Sequence, residues 1–291
     1  MAPRSFRMSF RSGIVCTFLL GALTWPFQAT KLSGAEEALV TRIGGLRSVS
    51  DADRGPATKT IALQIRQLAP GNGKVLLAEL LANLSTEGDP GKDTLQEVAT
   101  TLADAVRETP APPTNGEPSA PYLELAQLAR YEHVEVKLAD PQYAAAVASV
   151  AAIEQVRAKA DFTLNDIHGK SWTLGSLKGK IVLVNFWATW CPPCRKEMPD
   201  MQTLFERFQD RGLVVLAISD EEMSKVQPFI EEQKYTYPIL LDPGRKINSL
   251  YRVDGIPKSF LYDRNGRLVA QAIDMRTQRQ FLEMLKLAGL K

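Results

Sequence analysis

The stretch FWATWCPPCRKEMP, residues 186–199, contains two cysteines three positions apart, Cys191 and Cys194. It begins within the apolar run KIVLVNFW (180–187), which is typical of a strand buried on both faces. A helix is predicted from Pro193 to about Arg211, so the cysteine pair lies at a strand-to-helix junction. Pro193 costs no hydrogen bond there, because the first N–H groups of a helix have no partner within it. A CxxC pair in this position indicates redox chemistry.

The start of a helix favours a reactive thiolate. Its free N–H groups and its dipole stabilise negative charge, and the thiolate is the form of cysteine that attacks a disulfide. We therefore expect Cys191 to be the exposed nucleophile. Cys194, one turn deeper, is expected to resolve the mixed disulfide that Cys191 forms.

Two non-redox interpretations of the pair are weaker. A structural zinc site needs four ligands, usually from two CxxC pairs or from added histidines. The chain has only three cysteines and two histidines, with no second CxxC pair. A structural disulfide across so short a loop would remove little chain entropy from the unfolded state.

Residues 161–291 alternate predicted strands and helices, which indicates an α/β architecture. The predicted strands are two short ones within 161–174, then 180–187, 212–219 and 237–242, and a hairpin over 258–271 with Asn265-Gly266 in its turn. The predicted helices are 193–211, 221–233, 245–251 and 276–288.

The preceding part of the chain is predicted to be mainly helical. Residues 36–108 form a helical domain of three helices, with an apolar stripe at Leu95, Val98, Leu102 and Val106. A proline-rich linker, 109–121, separates it from a further helical segment, 122–160. No constellation of metal ligands or nucleophiles stands out in these residues.

Residues 1–35 are predicted to be a targeting segment. Arginines precede an uncharged, largely apolar run over 13–27, and Ser33 and Ala35 form an S-x-A cleavage site. We favour a cleaved secretory signal, with an uncleaved membrane anchor over 12–30 as the alternative. Either one places the rest of the chain outside the cytoplasm, which in a bacterium means the periplasm or the outer membrane face. Because Cys16 lies within the signal, only Cys191 and Cys194 would remain, in a compartment that favours disulfides.

A net charge of +2 gives no indication of a nucleic-acid partner.

Residues 161–291 resemble the TlpA/ResA type of thioredoxin-like thiol–disulfide oxidoreductase, within the AhpC/TSA-redoxin superfamily. VNFWATWCPPCRKEMP (184–199) matches the active-site stretch of that family nearly residue for residue, and DGIPKSF (254–260) matches its cis-proline loop. The resemblance implies a thioredoxin fold after the helical region, and an extracytoplasmic enzyme that reduces disulfides of client proteins. It implies no cofactor beyond a redox-active Cys191–Cys194 disulfide, a membrane thiol reductase as electron donor, and cytochrome c maturation as the best-known task.

The resemblance also assigns roles near the cysteines. Glu197 matches an acidic residue close to the family's active site, and Asn185 stands where cytoplasmic thioredoxins carry a buried Asp. Because an amide cannot carry a proton, Glu197 is the candidate proton carrier.

A partner-binding surface is expected around the cis-proline loop. The resemblance implies that Pro257 is cis and faces the CxxC pair, so that the backbone of Ile256 can pair with a client strand. Trp190 and Pro192 complete this expected surface.

Two alternatives to the reductase stay open, and so does the role of the helical region. A peroxidase of the peroxiredoxin kind wants P-x-x-x-[ST]-x-x-C, but Val184 and Ala188 stand where the Pro and the Ser or Thr belong. A disulfide-inserting oxidase fits the same CxxC pair, since the sequence does not fix the reduction potential. The helical residues 36–159 are either a protein-binding module or a region that simply packs on the C-terminal domain.

Overall fold

The computed structural model describes residues 31–290. The charged start, the apolar run and Cys16 of the predicted targeting segment lie outside the described residues. Ser33 is described, and it caps the first helix: its hydroxyl accepts from the Glu36 N–H and the Glu36 carboxylate accepts from the Ser33 N–H. In the described part of the chain, no helix is long and apolar enough to cross a membrane.

Residues 34–158 form a helical region. Its helices are α1 (Gly34–Gly45), α2 (Asp51–Arg66), α3 (Asn72–Ser85), α4 (Lys92–Glu108), α5 (Ala120–Tyr131) and α6 (Pro141–Ala158). Helices α2, α3 and α4 pack on one another, α1 packs on α2 and α3, α5 packs on α3 and α4, and α6 packs on α5.

The helical region confirms the predicted apolar stripe but contains one more helix than expected. Leu95, Val98, Leu102 and Val106 of α4 are all buried. The prediction of three helices over 36–108 is wrong, because α1 precedes the three. Helix α1 buries only Leu39 and Ile43, a pattern too sparse to recognise in the sequence.

The proline-rich stretch has little regular structure. It forms one isolated bridge, between Thr114 and Glu117, before α5 begins at Ala120.

The C-terminal part has the thioredoxin fold. Strands β1 (Thr163–Asn165) and β2 (Ser171–Thr173) form a small antiparallel pair. The main sheet has the order β5-β4-β3-β6-β7. Its strands are β3 (Ile181–Trp187), β4 (Leu213–Ser219), β5 (Ile239–Leu241), β6 (Lys258–Tyr262) and β7 (Leu268–Ala272). Strands β3, β4 and β5 are parallel, and β6 is antiparallel to both of its neighbours, β3 and β7.

Helices cover both faces of the sheet and place the cysteines at its edge. They are α7 (Pro192–Phe208), α8 (Met223–Gln233), α9 (Lys246–Leu250) and α10 (Gln278–Leu287). Every residue of β3 is buried. Leu183 and Trp187 pack in one core with α7, α8 and α10, whereas Val184 and Phe186 pack in a second core on the other face. The central strand, which is packed on both of its faces, therefore leads directly into the CxxC stretch.

Candidate active site

Cys191 and Cys194 form a disulfide at the N-terminus of α7, with sulfurs 2.04 Å apart. Cys191 is the N-cap residue, in an extended backbone conformation, and Pro192 is the first helical residue. The backbone N–H of Cys194 points at the Cys191 sulfur, with N and Sγ 3.2 Å apart. The helix therefore presents a free N–H to the sulfur that would carry the negative charge.

The expectation that Cys191 is exposed is wrong for this disulfide form. Cys191 is only 2% exposed and Cys194 is fully buried. The loop ahead of β6 covers Cys191, since the carbonyl oxygen of Ile256 lies 3.7 Å from the Cys191 sulfur. Access to the disulfide is left at its rim, where Trp190 is 67% exposed and Pro192 is also exposed.

The Ile256–Pro257 peptide bond is cis, as expected, and it lies against the CxxC pair. Pro257 is buried, whereas Ile256 is half-buried. The fold therefore brings Trp190, Pro192 and Ile256 together around Cys191, although 65 residues separate Cys191 from Ile256.

Glu197 is buried in the same helix, three residues after Cys194. Its Oε1 accepts from the side-chain amide of Asn185 at 2.8 Å, and its Oε2 accepts from the backbone N–H of Arg276 at 2.9 Å. Burial raises the pKa of Glu197 to about 8, and the two hydrogen bonds only partly oppose this shift. Because residues three apart on a helix share a face, this carboxyl group is on the same side of α7 as Cys194.

Within residues 31–290, no group of three or more His, Cys, Asp or Glu side chains is arranged to hold a metal ion.

Comparison with known proteins places this geometry in a family. Residues 156–271 match the family model described as AhpC/TSA family. The chain is 39% identical over 127 residues to the thiol–disulfide oxidoreductase ResA of Bacillus thuringiensis strain Al Hakam, a match that covers 43% of this chain and 73% of the relative. The chain belongs to the TlpA/ResA-type family.

Other relatives match the same part of this TlpA/ResA-type chain. It is 35% identical over 130 residues to the ResA of Geobacillus thermodenitrificans, covering 43% of this chain and 75% of the relative. The crystal structure of StoA from Bacillus subtilis has 29% identity and a TM-score of 0.40, covering 43% of this chain and 96% of StoA. The two ResA relatives identify the protein as a thiol–disulfide oxidoreductase, an enzyme that acts on protein substrates.

Glu221 supports the active-site loop of this TlpA/ResA-type enzyme. Its carboxylate accepts the backbone N–H of Thr189 at 2.6 Å and the Thr189 hydroxyl at 2.9 Å. Sequence reasoning missed this contact, although a signal was present. Strands β3 and β4 are parallel, so residues just after each strand meet at the same sheet edge. Thr189 follows β3 by two residues and Glu221 follows β4 by two.

The buried Asn185–Glu197 pair has two further partners that no local sequence pattern predicts. Ser259, on β6, accepts from the Asn185 amide at 3.0 Å, and Arg276 lies 79 residues after Glu197 in the chain. Lys258 is also buried, with its ammonium 3.0 Å from the Asp254 carboxylate and 3.2 Å from the Ile273 carbonyl oxygen.

Proposed function

We propose that this enzyme works outside the cytoplasm and reduces disulfides of client proteins through Cys191 and Cys194. The observation that carries the proposal is the Cys191–Cys194 disulfide at the start of α7, with the buried Glu197 carboxyl on the same helix face. In the reduced enzyme, the Cys194 N–H and the helix end would stabilise a thiolate at Cys191, which is the attacking form.

The reaction proceeds in two exchanges. The Cys191 thiolate attacks one sulfur of the client disulfide, forming a mixed disulfide and releasing the other client sulfur as a thiolate. Cys194 then loses its proton to the Glu197 carboxylate, and its thiolate attacks the Cys191 sulfur. The second client sulfur leaves as a thiolate, and the enzyme ends as the Cys191–Cys194 disulfide. Two electrons pass from the enzyme dithiol to the client.

Trp190, Pro192, Ile256 and Pro257 form the proposed client surface. Trp190 and Pro192 are exposed beside the disulfide, and the half-buried Ile256 has its carbonyl oxygen at the Cys191 sulfur. An extended client segment pairing with the Ile256 backbone would bring its own disulfide to Cys191.

The proposed setting follows from the N-terminal sequence. A segment with arginines ahead of an apolar run supports export, by a cleaved signal or an anchor. In that setting, a membrane thiol reductase would return two electrons to the Cys191–Cys194 disulfide. Cytochrome c maturation is the proposed pathway, because it requires reduced client thiols.

The reduction potential of the Cys191–Cys194 couple tests the direction of electron flow. We would equilibrate the full chain carrying Cys16→Ser with glutathione or dithiothreitol buffers, so that only one thiol pair reports. A value near about −250 mV or below matches thioredoxin-like reductants, whereas a value near roughly −120 mV matches strong oxidants and would replace our proposal with disulfide insertion.

Activity provides the second test. Cys191→Ala in the Cys16→Ser background is expected to abolish reduction of insulin disulfides. Retained turnover would rule out the proposed attack by Cys191. Consumption of hydrogen peroxide at enzymatic rates would instead favour the peroxidase alternative.

A further inference from the structure

The helical region holds the loop that connects β7 to α10. Glu132, at the C-terminal end of α5, forms an ion pair with Arg276 of this loop. The two side chains are only 7% and 5% exposed, and both guanidinium Nη atoms contact the carboxylate, one of them at 3.4 Å. Buried charges are tolerated when they are paired, so this contact ties the loop firmly to α5.

Three weaker contacts from the segment between α3 and α4 reach this loop or the first turn of α10. The Gly88 N–H donates to the carbonyl oxygen of Met275 at 3.0 Å. The side-chain amide of Gln280 donates to the Gly88 carbonyl oxygen at 3.1 Å, and the Thr86 hydroxyl lies 3.4 Å from the Asp274 carboxylate. The position of the loop therefore depends on the helical region at several points.

The loop contacts the proposed proton carrier directly. The backbone N–H of Arg276 donates to the Glu197 Oε2, and the side chain of the same residue is held by Glu132. One residue thus connects the helical region to Glu197. Both Glu132 and Arg276 lie outside residues 156–271, the part of the chain that matches the family model.

We propose that the helical region, through Glu132, positions the Arg276 N–H on Glu197 and thereby controls proton transfer between Glu197 and Cys194. Glu132 and Arg276 are positioning residues in this scheme, since neither is placed at the reacting sulfurs. The inference rests on the proposed function, in which Glu197 accepts the Cys194 proton.

The direction of the effect follows from what surrounds Glu197. Asn185 and the Arg276 N–H donate to its carboxylate and oppose the effect of burial, and the Arg276 charge acts in the same direction. The Asp274 charge raises the pKa of Glu197, and the Tyr237 hydroxyl is a further titratable group that interacts with it. Weakening the Arg276 hydrogen bond therefore raises the pKa of Glu197 further above about 8, leaving less carboxylate at neutral pH.

The experiment measures Glu197 itself in the full chain carrying Cys16→Ser. The carboxyl carbon of Glu197 is followed by ¹³C NMR against pH, and its signal is assigned by its disappearance in Glu197→Gln. Glu132→Gln removes the charge that holds Arg276. Glu132→Asp keeps the charge but shortens the side chain, so it serves if the first variant does not fold.

A matched control lies within the helical region. Glu97→Gln breaks the Arg66–Glu97 ion pair between α2 and α4, which does not involve the loop. We expect Glu132→Gln to raise the proton affinity of Glu197 roughly 3- to 10-fold, because a hydrogen bond to the charged form is weakened. Glu132→Asp should act in the same direction, and the control should match the parent chain.

An unchanged Glu197 titration in the folded Glu132 variants would overturn the inference, as would an equal shift in the Glu97 control. Lost client turnover with an unchanged titration would also overturn it, since it would indicate that the helical region docks the client. The outcome is separate from that of the proposed function. If the parent chain does not reduce insulin, the reductase proposal is contradicted, but the measured effect of Glu132 on the titration of Glu197 still stands.

Discussion

Asn185 of β3 donates its side-chain amide to Glu197 of α7, so the central strand and the active-site helix share one buried hydrogen bond. The same amide nitrogen also contacts the Ser259 hydroxyl on β6. The Asn185 Oδ1 is buried with no hydrogen-bond partner among the described residues. The amide therefore orients the Glu197 carboxyl without itself taking a proton.

Replacing Glu197 with Gln should slow the second thiol exchange. With a pKa of about 8, Glu197 gains its negative charge, and with it the capacity to accept the Cys194 proton, as pH rises through 8. The rate at which Cys194 resolves the mixed disulfide should therefore rise with pH around that value. Glu197→Gln should lower the rate by about 10²-fold at neutral pH and remove this rise. Single-turnover decay of the mixed disulfide provides the measurement.

A second variant distinguishes lost proton transfer from disturbed packing. Asn185→Asp combined with Glu197→Gln moves the carboxyl to the strand and keeps an amide opposite it. Part of the resolving rate and its pH dependence should return. If the double variant and Glu197→Gln both resolve as fast as the parent, Glu197 carries no proton in this reaction.

The stability of the disulfide form should fall as the pH rises from 5 to 8. Burial raises the pKa of Glu197 and of Glu124 to about 8, and that of Glu79 and of Asp274 to about 7. In the unfolded chain these groups titrate near ~4, so their neutral forms stabilise the folded state at low pH. That contribution is lost progressively until the pH passes the folded values.

Urea unfolding at several pH values measures this effect. The slope should be about 1.4 kcal/mol per pH unit for each group that is ionised only in the unfolded state. Glu197→Gln should flatten the curve but not level it, because the other three carboxyl groups remain. A free energy of unfolding that is constant from pH 5 to 8 would contradict the raised values.

The sequence was most informative where the relevant contacts are local. The strand, the helix start and the three-residue spacing from Cys194 to Glu197 all follow from short-range patterns. Arg276 and Glu132 were beyond reach, because an ion pair between residues 144 positions apart has no periodicity to reveal it. The cis-proline loop was expected to face the cysteines, but the sequence does not show how closely the Ile256 carbonyl covers the Cys191 sulfur.

Glu221→Gln should weaken the support of the active-site loop. A glutamine has one acceptor oxygen and cannot accept both the N–H and the hydroxyl of Thr189 in the observed arrangement. We expect Glu221→Gln to lower stability by about 1–2 kcal/mol. We also expect kcat/KM to fall roughly 10-fold, because Trp190 and Cys191 directly follow the loop residue Thr189. The neighbouring exposed Glu222 provides a matched control, and Glu222→Gln should behave like the parent in both assays. Wild-type kinetics in Glu221→Gln would show that the contact does not govern the reaction.

Arg157→Met should destabilise the chain while leaving the cysteine chemistry in place. The guanidinium of Arg157, in the last turn of α6, is buried and donates to the carbonyl oxygens of Tyr251 at 2.8 Å and Arg252 at 3.3 Å. It also lies 5.0 Å from the ring centre of Phe260. Methionine fills part of the space but leaves both carbonyl groups without their donor, so urea unfolding should show a loss of about 2–4 kcal/mol.

Arg130→Met provides the control. It breaks the ion pair between the exposed Arg130 side chain and Glu154, and it should cost less than about 1 kcal/mol. Equal losses in the two variants would mean that burial of the Arg157 guanidinium contributes nothing specific.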